Sequence, residues 1–325
     1  MLAYFDIQNF ISYVKSHDRD CDRMLKGIDV QFNFTKDELK ERAKDNPEIL
    51  SWVTTMTDGV KGNRSYNGDR VFPSRPLKGN THISFDRDQL SAVYLIDDER
   101  VETIKNQGSI LCVGVGEEVY ALSSLFNEDN QYDDMLDVGE MKAWDDIQPY
   151  VLPVTDIIIS DRYLFSVDER TYQSNLYSML SVLCSKVKNA TVHIVIFTLP
   201  RCRDSKNKTD YIPNWNQIKA DIKSKIKARV GQMPQVTFVL SSELEHDRTV
   251  FTNYRFYNSG DSLNLFGPGK VISSGRYFHI KSMAKRGTYD IMMKFISDMQ
   301  DKIDEVRNRN ADYIKGDKKS LYLHF

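Results

Sequence analysis

The stretch Asp156-Ile157-Ile158-Ile159-Ser160 is apolar without interruption between its polar ends. A strand with one wet face alternates, so this run predicts a strand covered on both sides. Two more runs of the same kind follow, Val192-His193-Ile194-Val195-Ile196-Phe197 and Val236-Thr237-Phe238-Val239-Leu240. Helical patterns separate them. Leu176, Leu180 and Leu183 lie at helical spacing within Tyr172 to Lys186, and Ile218, Ile222, Ile226 and Val230 repeat every four residues after Trp215. Lys219, Lys223 and Lys227 run as a stripe beside that second apolar face, and Gly231 and Pro234 stop the helix. Strand, helix, strand, helix, strand predicts a mainly parallel sheet with helices on its faces.

Working back toward the amino terminus, Pro149 and Pro153 mark a boundary between an N-terminal domain, 1–148, and a C-terminal one, 149–325. The charge differs between the halves. Residues 1–150 carry 28 Asp+Glu against 17 Lys+Arg, whereas the whole chain has a net charge of only −2. The basic half is where a phosphate-bearing partner is expected, and the acidic half would engage a protein partner or dock against the basic one. In the first half, Thr35-Lys36-Asp37-Glu38 fits a capping box ahead of a helix to about Met56. Ala92–Ile96, a short helix from Glu99 to Asn106 capped by Asp97 or Asp98 and ended by Gly108, then Ser109–Val113 read as a βαβ unit. Glu128 to Asp146 is strongly acidic and reads as a loop or docking surface without metal-binding spacing.

No apolar run reaches the ~18 residues of a membrane span. The first residues lack the basic segment and apolar core of a secretory signal. Cys21, Cys112, Cys184 and Cys202 are far apart with no CxxC pair. A reducing, cytoplasmic setting is expected.

The chemistry-bearing segment is Glu245-His246-Asp247-Arg248-Thr249-Val250-Phe251-Thr252-Asn253, followed by Gly260-Asp261-Ser262-Leu263. On a strand, His246 and Arg248 fall on one face and would address one phosphate. The spacing of His246, Arg248 and Asn253 resembles the HxKxxxxD motif of the phospholipase D superfamily, with Gly260 at the place of its following glycine. Arg248 stands for the lysine, Asn253 for the aspartate, Asp261 for a serine and Leu263 for an asparagine. The altered signature resembles the domain that follows the microtubule-interacting-and-trafficking domain in proteins of cytokinesis. Asp156–Tyr163, with its Asp-x-Tyr, is similar to that family's opening strand, Gly260–Phe266 to its glycine–aromatic segment, and Thr288–Ile291 to its closing helix. The likeness covers about residues 150–297. It implies a phospholipase D-like mixed sheet flanked by helices, beside an N-terminal α/β domain with no recognised likeness.

Two functions follow as expectations. The resemblance implies first a non-catalytic module that holds an anionic headgroup, a nucleotide or a nucleic-acid backbone. Arg248 and Asn253 would serve its phosphate pocket, with Lys219, Lys223 and Lys227 as a basic face. The alternative is a metal-independent phosphodiesterase or nuclease. There His246 would attack phosphorus and Arg248 would steady the equatorial oxygens, with two chains forming one site in a homodimer. Neither reading calls for a cofactor or a metal. Each residue also has a plain structural role open to it: His246 as a sheet histidine, Arg248 paired with Glu243, Glu245 or Asp247, and the lysine stripe as a solvated helix face.

Overall fold

The computed structural model describes residues 1–56, 59–69, 75, 85–127, 129, 131–203, 209–244, 248–260, 262–267, 270–271 and 277–325. The chain divides into two compact units, Met1–Tyr132 with Ser282–Tyr289, and Asp133–Lys281 with Asp290–Phe325. The division falls ahead of the expected 148/149, because the acidic segment after Tyr132 opens the second unit's sheet.

Among the described residues the first unit is an α/β sheet of five short strands. Its elements are β1 (Leu2–Phe5), α1 (Ile7–Ser16), α2 (Arg19–Gly27), β2 (Asp29–Phe32), α3 (Lys36–Ala43), α4 (Glu48–Thr55) and β3 (Arg64–Tyr66). β4 (Val93–Leu95), α5 (Val101–Gly108), β5 (Leu111–Val113) and α6 (Glu118–Ser123) complete it. The strand order is β3-β2-β1-β4-β5 and every pairing is parallel. Tyr4 and Tyr94 stack with centroids 5.0 Å apart across β1 and β4, and Phe10 packs edge-on against Phe32 and Trp52.

The capping box forms as the sequence predicts, Thr35 accepting from the Glu38 amide while Glu38 reaches back to the Thr35 amide. The helix it starts does not run on to Met56. Pro47 lacks an amide proton and disfavours helical geometry at Asn46, so the segment breaks into α3 and α4. The expected βαβ unit is present, with β4 and β5 as parallel neighbours, although Ser109 and not Gly108 takes the left-handed position that ends α5.

In the second unit, β6 (Asp133–Asp137) and β7 (Asp156–Ser160) precede α7 (Glu169–Leu183), β8 (His193–Thr198), β9 (Cys202–Arg203), β10 (Asp210–Tyr211) and α8 (Trp215–Val230). β11 (Gln235–Leu240), β12 (Arg248–Phe251), β13 (Arg255–Ser259), β14 (Phe266–Gly267), β15 (Lys270–Val271), β16 (Tyr277–Ser282), α9 (Arg286–Asn310) and β17 (Ile314–Gly316) follow. Eight of these strands form one mixed sheet in the order β17-β11-β8-β7-β12-β13-β16-β6. Its centre is the parallel set β7, β8 and β11, the three runs read from the sequence. β17, β12, β13 and β6 join antiparallel to β11, β7, β12 and β16. The chain is therefore of α/β class, with a large mixed sheet flanked by helices.

All four apolar residues of the α8 repeat are buried, and Trp215 at its start packs with Phe165 and Phe238. The acidic segment is not a loop throughout: Asp133–Asp137 is an edge strand, with Lys281 opposite Asp133 in register. Opposite charges facing across a strand pair favour that register. β17 closes the other edge. Gly316 has φ +98°, and a Cβ there would stand 2.1 Å from the Val236 carbonyl oxygen, so the strand accepts only glycine at this point. Beyond it the chain crosses the starts of the parallel strands. Leu321 N donates to Asp156 Oδ1 at 2.9 Å, and Tyr322 is buried edge-on against Phe251 with centroids 4.8 Å apart. No helix among the described residues is long and apolar enough to cross a membrane.

Candidate functional site

β7 hands over to Asp161, whose side chain is completely buried. Its Oδ1 accepts from the Tyr163 amide at 2.8 Å, and its Oδ2 accepts from Ser262 Oγ and the Leu263 amide, each at 2.8 Å. Burial raises its pKa above the ordinary carboxylate value. The Leu263, Ser262 and Tyr163 hydrogen bonds and the charge of Arg248 pull the other way without reversing the shift. The segments 156–163 and 260–266, a hundred residues apart in the chain, are thus joined by this carboxylate.

Arg248 begins β12. Thr249 is in register with Ser160, so Arg248 sits level with the turn that follows β7. Its guanidinium carbon lies 5.5 Å from the centroid of the Tyr163 ring, and that of Arg162 lies 5.6 Å from the same centroid. Both are within the range of cation–π attraction. Nε of Arg162 and Nε of Arg248 are buried with no hydrogen-bond partner among the described residues. Glu243, one of the carboxylates open to Arg248, instead pairs with Arg309 at 2.9 Å. Two like charges held against one ring repel each other, and each retains unused donors in a fixed fork. An anion between or beside them relieves both conditions. Arg162 is the residue the sequence did not assign, although it fills the middle of the Asp161-x-Tyr163 motif.

The other expected site residues are placed as follows. His246 lies outside the described residues, as do Glu245, Asp247 and Asp261. Asn253 is completely buried in the turn after β12, at the far end of that strand from Arg248. At ~3.3 Å per residue of strand, five residues separate the two by roughly 16 Å. Its Oδ1 accepts from the Thr155 amide at 2.8 Å and its Nδ2 donates to Thr155 Oγ1 at 2.9 Å. The amide therefore fastens the β12–β13 turn to the entry of β7, and Arg248 and Asn253 are not brought together. Gly260 is exposed, and a Cβ there would meet nothing within 4 Å, so no close approach requires glycine.

The lysine stripe divides. Lys223 Nζ lies 2.7 Å from Asp317 Oδ2 and Lys219 Nζ lies 3.7 Å from Asp317 Oδ1. Asp317 also accepts from the Val236 amide at 2.8 Å. Burial pushes the Asp317 pKa up, but the hydrogen bonds from Lys223 and Val236 and both ammonium charges outweigh it and hold the carboxyl below its ordinary value. Two lysines of the three thus anchor the chain after β17, and Lys227 stays exposed. A four-residue repeat gives the helix face but not what crosses it.

The first unit presents a second polar cluster. Its strand order reverses between β1 and β4, and in open parallel sheets ligands bind outside the carboxyl ends of the strands at such a point. Asp6 and Asp97 follow β1 and β4 there. Asp6 accepts from Asn33 Nδ2 at 3.1 Å and the Asp97 amide at 3.0 Å, and it pairs with the nearly buried Arg75. Asp98 pairs with Arg100 at 2.9 Å, whose hydrogen bond lowers the carboxyl's pKa. The Asp6 and Asp98 carboxylates are engaged by neighbours, and among the described residues no group of three His, Cys, Asp or Glu side chains is set to hold a metal ion.

No protein-family model matches this sequence, and no curated protein does. Among solved structures the chain is similar to TrmBL2, an archaeal chromatin protein described as showing a novel mode of DNA binding. The two share 10% identity over 57% of this chain and 58% of that one, with a TM-score of 0.29, a likeness too low to carry an argument about fold or function.

Proposed function

We propose that the second unit is a non-catalytic binding module for a phosphate-bearing ligand, held where β7 and β12 present Arg162 and Arg248. The observation that carries this reading is the pair of guanidiniums against Tyr163, each with a buried Nε that has no partner among the described residues. Guanidinium forks match phosphate oxygens bidentately, and a partly buried setting strengthens those charge-assisted bonds. Asp161 supports the site from beneath by fixing the Tyr163 amide and the Ser262–Leu263 segment. The meeting of these two segments also supports the proposed phospholipase D-like character of the unit. Catalysis is the weaker reading, because Asn253 is committed to Thr155 and does not face Arg248.

The test is binding of a short single-stranded oligonucleotide, of inorganic phosphate and of vesicles with anionic headgroups, measured at low and moderate salt. Binding of at least one probe should weaken by roughly tenfold or more in Arg248→Gln and in Arg162→Gln, as expected for loss of a charge-assisted bond. It should survive His246→Ala. Binding that ignores both arginines removes the proposal. Phosphodiester cleavage in EDTA that disappears in His246→Ala would restore the catalytic reading.

A further inference from the structure

A second site lies on the same unit, where α7 and α8 face the 3₁₀ turn Trp144–Tyr150. A cleft of about 320 Å³ is lined there by Asp145 and Gln148, by Tyr177, Ser178, Ser181 and Val182 of α7, and by Lys225 and Arg229 of α8. This volume is at the lower end of the range for small-molecule sites.

Three features of the cleft point to an occupant. Lys225 and Arg229 are one turn apart on α8, both are exposed, and neither forms an ion pair among the described residues. Like charges at that spacing repel, so the pair is unfavourable on its own. Tyr177 also lines the cleft, only 8% exposed, with its hydroxyl buried toward Asp221. Asp221, one turn before Lys225 on α8, accepts from Gln217 at 2.8 Å; after burial, its charge is the next influence raising the Tyr177 pKa. Ser178 and Ser181 add two hydroxyls along the α7 wall, and Asp145 offers one carboxylate at the opposite side. The Gln148 amide is already engaged, donating to Ser185 Oγ at 2.8 Å.

We infer that the cleft holds a small phosphate monoester with a hydroxylated body. Lys225 and Arg229 take the phosphate, and the Ser178 and Ser181 hydroxyls complete its hydrogen bonds. The Asp145 carboxylate accepts from a hydroxyl of the ligand body. That carboxylate disfavours a bare polyanion, which has no proton to offer it, and so selects a monoester over a nucleic-acid backbone. The site is independent of Arg162 and Arg248.

The probes are glycerol 3-phosphate, orthophosphate and glycerol, titrated calorimetrically into the full chain. Glycerol 3-phosphate should bind saturably and more tightly than orthophosphate, and glycerol should not bind. The surface double variant Lys225→Gln/Arg229→Gln should weaken that binding roughly tenfold or more, in line with two lost charge-assisted contacts. Asp145→Ala, which removes the acceptor, should narrow the preference for glycerol 3-phosphate over orthophosphate. The Arg162→Gln/Arg248→Gln variant should keep the glycerol 3-phosphate site that Lys225→Gln/Arg229→Gln weakens, which separates failure here from failure of the first site. Absence of saturable glycerol 3-phosphate binding, or equal binding in Lys225→Gln/Arg229→Gln, overturns the inference.

Discussion

The Leu263 amide donates to the Asp161 carboxylate across 2.8 Å, and this bond joins the end of β7 to the segment after β13. The acceptor is completely buried, so water cannot replace the donor's partner if the carboxylate is removed. Asp161→Ala takes away the acceptor of the Leu263 and Tyr163 amides and one of the partners of the Ser262 hydroxyl. At about 1–3 kcal/mol for each buried group left alone, this change ranks among the most damaging in the unit. Urea denaturation should show a large fall in midpoint, with anion binding at Arg248 lost as Tyr163 shifts.

Asn253 supplies the contrast. Asn253→Ala removes the acceptor of the buried Thr155 amide and should cost about 1–3 kcal/mol in the same denaturation experiment. Ligand affinity measured well below the unfolding transition should stay within twofold of wild type, roughly the error expected between distant sites. A selective loss of affinity in a variant of normal stability would return Asn253 to the binding site.

His193 makes stability depend on pH. Burial lowers its pKa, but Asp156, with its Oδ2 3.6 Å from Nδ1, and the Thr155 carbonyl together raise it above the ordinary 6.5, against the smaller effect of Lys319. A histidine whose pKa is raised on folding stabilises the fold fully below its unfolded value. That contribution is lost as pH climbs through the folded one. The urea midpoint should therefore decline from pH 6 toward pH 9 through this group, and His193→Gln should flatten the decline.

Lys223→Gln tests the anchoring role of the α8 stripe. The pair with Asp317 is partly exposed, so its removal should cost at most about 1 kcal/mol. Because the Asp317 pKa is depressed on folding, the pair's contribution is present above the ordinary carboxylate value and fades as pH falls through the folded one. Wild type and variant should converge in stability as pH falls below the ordinary carboxylate range and through the depressed Asp317 pKa. Unchanged stability at neutral pH would show that the stripe does not anchor β17.

Gly316→Ala places a methyl group against the Val236 carbonyl and forces a side chain into a left-handed backbone. The strain alone is about 1–3 kcal/mol. Hydrogen exchange should rise at Ile314 to Gly316, and β17 should detach before the rest of the sheet melts.

The parallel centre of the second unit was legible because runs such as Ile157-Ile158-Ile159 have one interpretation when helical repeats lie between them. The short strands of the first unit were less so. Leu2–Phe5 and Asp29–Phe32 are four residues each, too short for periodicity to separate a strand from a buried turn of helix. Arg248 was visible through its charge and spacing. Arg162 was not, because its importance comes from Tyr163 folding it toward a strand 86 positions later in the chain. The opposite held for Lys219 and Lys223. Their stripe was plain in the sequence, whereas the carboxylate that occupies it comes from the segment after β17.

The path of the final residues across Asp156 and Phe251 has a consequence for synthesis of the protein. The leading end of β7 gains hydrogen bonds to Asp156 from Ser320 and Leu321, and Tyr322 packs on Phe251 of the neighbouring β12. A ribosome that has made every strand up to β16 still conceals the stretch that seals them. The second unit thus has to wait, with its sheet open at one margin, until the segment after β17 has left the ribosome, and that interval is when nascent chains of this protein are most exposed to chaperones and to one another.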